Sequence, residues 1–225
     1  MPGDQEGTVR QHDSAMRDGA KRALDIALAG LGLMLLSPAM AVAALAIKLD
    51  SPGPVFFLQE RAGRHGVPFD MVKFRSMRVA TAEELAAVDL TDTSDQRDVA
   101  RVTRLGSLLR RTKLDELPQL FNVVKGEMSL VGPRPTFPEQ AALYDDHQRR
   151  RLAVRPGITG LAQVNGSAAI PWDERIEYDV YYVEHHTLGM DLVILIKTLG
   201  VVLKGEAAFA KRFSESDFVS SGAAG

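Results

Sequence analysis

The stretch from Ala23 to Leu49 constrains this chain more than any other part of it. It is built from Leu, Ala, Ile, Val, Gly and Met, and Asp25 is its one charge before Lys48. An unbroken helix of that length is about 40 Å long, enough to cross a hydrocarbon core of about 30 Å. Ser37-Pro38 falls near its centre. Proline has no N–H to give, and its ring collides with the preceding turn. A break there leaves halves of roughly fourteen and eleven residues, about 21 and 16 Å long, each too short to span. Two architectures follow: a kinked spanning helix, or a helix-break-helix that dips into one leaflet and returns. Arg10, Arg17, Lys21 and Arg22 precede the run, and Lys48, Arg61 and Arg64 follow it. Positive flanks favour the cytoplasmic side, so both ends want the same side and the re-entrant form, broken at Ser37 and Pro38, satisfies them. Asp25 lies three and four residues after Arg22 and Lys21, close enough to pair with them. Ser37 can offer its hydroxyl to a carbonyl freed at the break. No A-x-A-like cleavage site follows the run, so it does not read as a signal peptide.

Residues 1–18 are polar, Gly-bearing and aperiodic, and read as a flexible tail before the membrane segment 19–50. The body runs over 51–186. Val55–Leu58 and Phe69–Phe74 are short, aromatic and β-branched, with Gly63 and Gly66 between them, which predicts a β-hairpin. Helices are expected over 81–87, Arg101–Arg111, Glu116–Lys125, Glu139–Ala153 and Trp172–Glu184, with a loop over 91–98 and a rigid extended segment at Pro133, Pro135 and Pro138. Residues 187–212 hold an apolar helix interrupted by Asp191, Lys197 and Lys204. It is either a core helix or an interfacial amphipathic one, and the membrane segment favours the second. Residues 213–225 read as a tail. The expected fold is α+β and predominantly helical: a re-entrant helix, a β-hairpin, a compact cytosolic body and a C-terminal interface helix.

Net charge is −2 over 225 residues, which excludes the basic balance of a general nucleic-acid binder. The chain has no cysteine, so disulfides, thiolate chemistry and Cys-based zinc sites are excluded, as suits a reducing compartment. The charge is uneven. Glu83 to Asp98 is mostly acidic, whereas Arg101 to Lys113 carries only positive charge and runs into Asp115-Glu116. Adjacent carboxylates repel unless a cation sits among them. A metal ion holding a phosphate, with arginines on the other phosphate oxygens, fits that need. The plainer alternative is that Asp115 caps the helix through Leu120 and Val123, with Pro118 in its first turn. His185-His186 has no metal-ligand spacing with the other histidines. A glycosidase would need its carboxylates ~5–9.5 Å apart across a sugar ring, and neighbours at a helix start project in different directions.

Lys21-Arg22 with Asp25, Ser37-Pro38, Lys73-Phe74-Arg75-Ser76-Met77, Leu114-Asp115-Glu116-Leu117-Pro118-Gln119, Val131-Gly132-Pro133-Arg134-Pro135, Arg155-Pro156-Gly157-Ile158-Thr159-Gly160, Ala162-Gln163-Val164-Asn165-Gly166 and Asp179-Val180-Tyr181-Tyr182-Val183 occur in this order. Together they resemble the bacterial sugar transferases, the monotopic polyprenol-phosphate phosphoglycosyl transferases, from about Lys21 to Glu206. The resemblance implies a re-entrant topology at the cytoplasmic face of the bacterial inner membrane, with membrane lipids as surroundings. It implies transfer of a sugar-1-phosphate from a UDP-sugar to polyprenol (undecaprenyl) phosphate, with release of UMP. Asp115 would be the nucleophile and a Mg²⁺ ligand, and Glu116 its partner. Arg110 and Arg134 would be phosphate ligands, with Lys73, Arg75 and Arg155 as further candidates. A salt-bridging role is the alternative for each lone arginine. Ser167 stands where the family often has a basic residue, and Ile170-Pro171-Trp172 leans toward an N-acetylated amino sugar. The rival reading is a membrane-attached scaffold of the same fold without turnover. Oligomeric state is left open.

Overall fold

The computed structural model describes residues 3–79, 101–216 and 218; the helix expected over 81–87 and the loop over 91–98 lie outside them. Helix α1 runs unbroken from Gly3 to Asp50 with Pro38 inside it. This corrects two expectations. The segment read as a flexible tail is helical backbone from Gly3, because a nucleated helix gains one hydrogen bond per added residue. The chain also stays helical through Ser37-Pro38. Pro38 deprives the Met34 carbonyl of its usual donor, and the Ser37 hydroxyl donates to that carbonyl at 2.9 Å.

Asp25, Ala29, Met40 and Ile47 form the buried stripe of α1, on the same-face spacing that helical periodicity requires. Leu24, Leu28, Leu31, Met34, Leu35, Val42, Leu45 and Leu49 are exposed. By length and composition α1 suffices for a membrane helix. One body holds its apolar segment on both sides. Just before that segment Lys21 Nζ meets Asp191 at 2.7 Å and Arg22 donates to the Val123 carbonyl at 2.6 Å. At the other end Arg75 donates to the carbonyls of Ser51 at 2.6 Å and Pro52 at 2.8 Å.

The expected hairpin forms from β1 (Phe56–Ala62) and β2 (Pro68–Phe74), antiparallel from Phe56↔Phe74 to Ala62↔Pro68. Helix α2 (Arg104–Arg111) starts at Thr103, whose hydroxyl accepts from Gly106 N at 2.9 Å. A Cβ at Gly106 would collide with the Ser76 carbonyl, so only glycine lets α2 lie this close to the chain leaving β2. Helix α3 (Gln119–Lys125) ends at Gly126, in the left-handed region at φ 99°. Strand β3 (Ser129–Val131) pairs in parallel with β4 (Gly157–Thr159), a pairing the sequence did not announce.

The single helix expected over Glu139–Ala153 is instead α4 (Pro138–Ala142), α5 (Asp146–Arg149) and a 3₁₀ turn over Arg150–Ala153. Asp145 and Gln148 make a reciprocal capping box that starts a new helix in mid-segment. Helices α6 (Trp172–His185) and α7 (Leu188–Lys204) complete the body. Tyr178, Tyr182, Val131 and Ile194 centre one apolar cluster. Ala29 and Met40 of α1 each enter a further cluster, with Leu120 and Val123 in one and Phe74 and Leu109 in the other. The fold is mostly helical with one small hairpin and one long apolar N-terminal helix.

Candidate active site

The site begins where α2 stops. Thr112 closes α2, and Lys113 takes left-handed dihedrals at φ 58°, ψ 14°. Glycine usually fills that position because it carries no Cβ penalty. A lysine held there is a local strain that turns the next residues inward. Leu114–Glu116 then form a single 3₁₀ turn, and α3 starts only after Pro118, with no capping side chain. Asp115 therefore does not cap α3. Its side chain is free for other work.

Asp115 is 8% exposed, and its Oδ1 is buried without a hydrogen-bond partner. An orphaned carboxylate oxygen is costly. Burial, and next the Glu116 charge, push its carboxyl above the usual aspartate value despite Lys73, Lys113 and Arg110. Glu116 is pushed the other way. Burial alone would raise it, but Arg134, Lys73 and Lys113 outweigh burial and hold it below the glutamate range. Lys73 Nζ lies 3.3 Å and Arg134 Nη2 3.4 Å from Glu116 Oε1. For Lys73 burial outweighs that attraction and lowers its pKa. Two neighbouring carboxyls are thus shifted in opposite directions, a recurring mark of catalytic pairs.

Both carboxylates line a cavity of about 600 Å³. Lys73, Arg75, Arg110 and Arg134 line it too, so six of the residues expected in the site converge. Arg110 is oriented by its Nε donating to Ser76 Oγ at 2.8 Å. Arg134 stands between two prolines, and its carbonyl accepts from the buried Arg151 at 3.0 Å. The Arg75 guanidinium is differently employed: beyond its bonds to Ser51 and Pro52 it reaches the Ile47 carbonyl at 3.3 Å. It ties the chain leaving α1, and its donors point away from phosphate duty. Arg155 lies outside the cavity, behind α1, with its Nε on the Gly126 carbonyl at 2.9 Å.

The structure adds residues that the sequence did not assign. Lys113, Arg78 and Arg101 line the same cavity. Lys113 Nζ pairs with Glu206 Oε1 at 2.9 Å, beyond the end of α7. Position beside Asp115 was a usable signal for Lys113, whereas nothing local marks Glu206. Burial would raise the Glu206 carboxyl, yet Lys113, with help from Ser167, holds it low. Ser167 itself takes φ 47° in the turn after Gly166. Arg61 stacks 3.6 Å above Phe137, and burial followed by the Arg134 charge lowers it to about 10.

No cluster of three His, Cys, Asp or Glu suited to a metal occurs among the described residues. Asp115 and Glu116 are nevertheless two adjacent carboxylates lining one cavity. Mg²⁺ is typically held by one or two carboxylates, with water and substrate phosphate completing its shell. The residues present fit such an ion.

A model of the family described as bacterial sugar transferase matches residues 16–205. The chain is 41% identical over 212 residues to the uncharacterized sugar transferase EpsL of Bacillus subtilis (strain 168), covering 89% of this chain and 98% of that protein. It is 44% identical over 197 residues to the UDP-N-acetylgalactosamine-undecaprenyl-phosphate N-acetylgalactosaminephosphotransferase of Aeromonas hydrophila, covering 84% of this chain and 44% of that protein. It is 40% identical over 201 residues to the UDP-glucose:undecaprenyl-phosphate glucose-1-phosphate transferase of Escherichia coli (strain K12), covering 84% and 41%. The chain spans less than half the length of these last two relatives.

Proposed function

The chain belongs to the bacterial sugar transferase family, and from that premise we propose that it moves a sugar-1-phosphate from a UDP-sugar to polyprenyl phosphate through a covalent intermediate on Asp115. One observation carries the proposal: the buried, unpartnered Oδ1 of Asp115 in a cavity walled by cations. An Asp115 oxygen attacks the phosphorus bearing the sugar. The bond from that phosphorus to the oxygen of UMP breaks, and UMP leaves with the electron pair. A phosphate oxygen of the lipid then attacks the same phosphorus, and the Asp115 carboxylate departs. No proton needs to move, because a phosphate monoester with its second pKa near 6 is mostly ionised at neutral pH.

Phosphoryl transfer depends chiefly on positioning and charge neutralisation. Arg110 and Arg134 supply bidentate donors, and Lys73 and Lys113 supply point charges. Glu116, kept ionised by Lys73 and Arg134, orients these cations and the acceptor. Asp115 and Glu116 would hold Mg²⁺, which when bound neutralises phosphate charge. Helix α1 supports the membrane part of the reading. One body bonds to the chain on either side of the apolar segment, which supports a re-entrant reading with both flanks on one face of the bilayer, and the basic flanks favour the cytoplasmic face.

The test is UDP-sugar supplied without lipid acceptor. We expect UMP release of no more than one equivalent and a mass gain of one sugar phosphate on the peptide containing Asp115. Release that needs the lipid, with no adduct, would replace the covalent route by direct transfer. No UMP from any UDP-sugar, with or without lipid, would leave a non-catalytic scaffold.

A further inference from the structure

The cavity around Asp115 has two kinds of wall. Cations form one. Pro54, Phe56, Phe57 and Val79 form part of the other, and Phe56, Phe57 and Val79 are 43%, 40% and 57% exposed. A strand with one wet face alternates apolar and polar residues. Strand β1 instead opens with Phe56, Phe57 and Leu58, apolar on both faces and exposed on both.

The register shows where the two rings lead. Phe57 lies opposite Lys73 and so shares its face, and Lys73 holds Glu116. Phe56 lies opposite Phe74, with the rings stacked at 5.5 Å. Phe74 in turn packs with Met40 and Ile47 of α1. The apolar wall therefore reaches from Phe57, beside Lys73, over the strand end at Phe56 to Phe74, which rests on the buried stripe of α1, the helix long and apolar enough to cross a membrane.

We propose that Phe56 and Phe57 are the acceptor-lipid subsite: they seat the first isoprenoid units of a polyprenyl phosphate, whose phosphate lies among Lys73, Arg110 and Arg134. The assignment rests on the transferase reading above. Two features select the occupant. The basic end and the apolar end of the cavity match the head and tail of one amphiphile. The apolar end also abuts α1, whose length and composition suit a membrane, so the remaining chain has hydrocarbon close at hand. A nucleotide sugar offers one flat base and is otherwise charged or hydroxylated, which calls for a single aromatic face and gives no reason for two exposed rings beside such a helix.

The experiment is photo-cross-linking of the full-length, detergent-solubilised protein with a prenyl phosphate bearing a benzophenone, followed by peptide mapping. The adduct is expected on the peptide containing Phe56 and Phe57. Long-chain polyprenyl phosphate should suppress it, and uridine should not. Phe57→Asn should cut the adduct yield at least about fivefold. It should also raise the KM for polyprenyl phosphate at least about tenfold, equivalent to about 1.4 kcal/mol, with the KM for the UDP-sugar within about twofold. Phe57→Leu, which keeps the apolar surface, should recover most of the labelling and so separates lost contact from lost folding. Suppression by uridine would make Phe57 a base-stacking residue and overturn the assignment, as would adducts confined to α7. Cross-linking needs no turnover, so a protein that labels here yet releases no UMP would sink the transferase reading and leave the lipid subsite standing.

Discussion

Asp115 and Asp179 are both buried carboxylates among arginines, yet they are built to opposite ends. Asp179 is 2% exposed and accepts from Arg151 at 2.6 Å. Arg151, itself 4% exposed, also donates to the Tyr144 hydroxyl at 2.7 Å and lies over the Trp172 ring. That pair joins α6 to the segment before β4. Asp115 has cations within electrostatic reach and lines an open cavity, yet keeps a buried oxygen unpartnered. An acid among arginines is therefore no mark of chemistry by itself. What separates the two is whether the acid's lone pairs are already taken. The structural pair also serves the site, because Arg151 holds the carbonyl of Arg134.

The largest expected effect tests that contrast directly. Asp115→Asn should reduce sugar-phosphate transfer by at least about a thousandfold, since an amide replaces the proposed nucleophile, with the fold intact by circular dichroism. Asp179→Ala should cost about 3–5 kcal/mol of stability, because it strands the buried Arg151, as measured by chemical denaturation. Equal destabilisation by the two substitutions would collapse the distinction.

A smaller effect sharpens it for the arginines. Arg134→Lys keeps the charge but loses the planar fork, so transfer should fall at least about tenfold with little change in melting temperature. Arg75→Lys should do the reverse. Its guanidinium holds the carbonyls of Ile47, Ser51 and Pro52, and losing part of that set should cost about 1–3 kcal/mol of stability. A rate loss at Arg75→Lys without loss of stability would return that residue to the phosphate site.

These four residues also show what the sequence could and could not tell. Asp115, Glu116 and Arg134 stood out in the sequence through short, ordered motifs and Arg110 through the basic run before them, and the structure lines one cavity with all four. The hairpin was legible from its aromatic strands and the glycines between them. Arg75 sits in an equally clear motif but is turned toward α1, where its guanidinium serves the carbonyls of Ile47, Ser51 and Pro52 at the end of the helix. Arg155 is likewise recognisable, yet it is tied to the end of α3. Motifs give residue types and leave the direction of the side chain to tertiary packing. The β3–β4 pairing and the Lys113–Glu206 contact join residues 28 and 93 positions apart, and local periodicity carries no trace of either. The capping box that restarts the chain at Asp145 was visible in the residues but was outweighed by the helical pattern around it.

The smallest expected effect concerns that Lys113–Glu206 contact, which ties the end of α7 to the site. Lys113 is held at φ 58°, and Glu206 is the partner that fixes its ammonium. The Glu206 carboxyl titrates below its ordinary value of 4.5, because Lys113 and Ser167 outweigh burial. As pH falls below 4.5 the unfolded chain takes up this proton before the folded one does. The stabilisation is therefore complete above that value and is lost as pH drops through the lowered folded value. Both side chains are partly exposed, at 38% and 25%, so the pair should contribute no more than about 1 kcal/mol. Glu206→Gln should accordingly lower the melting temperature at pH 7 by at most about 2–4 °C, and the difference from the unmodified protein should shrink as pH falls below 4.5. Turnover should fall only a few-fold, since Lys113 keeps its charge and loses its anchor. A melting difference that persists unchanged at low pH would mean that Glu206 acts through packing. A turnover loss as large as that of Arg134→Lys would move Lys113 from a supporting cation to a principal phosphate ligand.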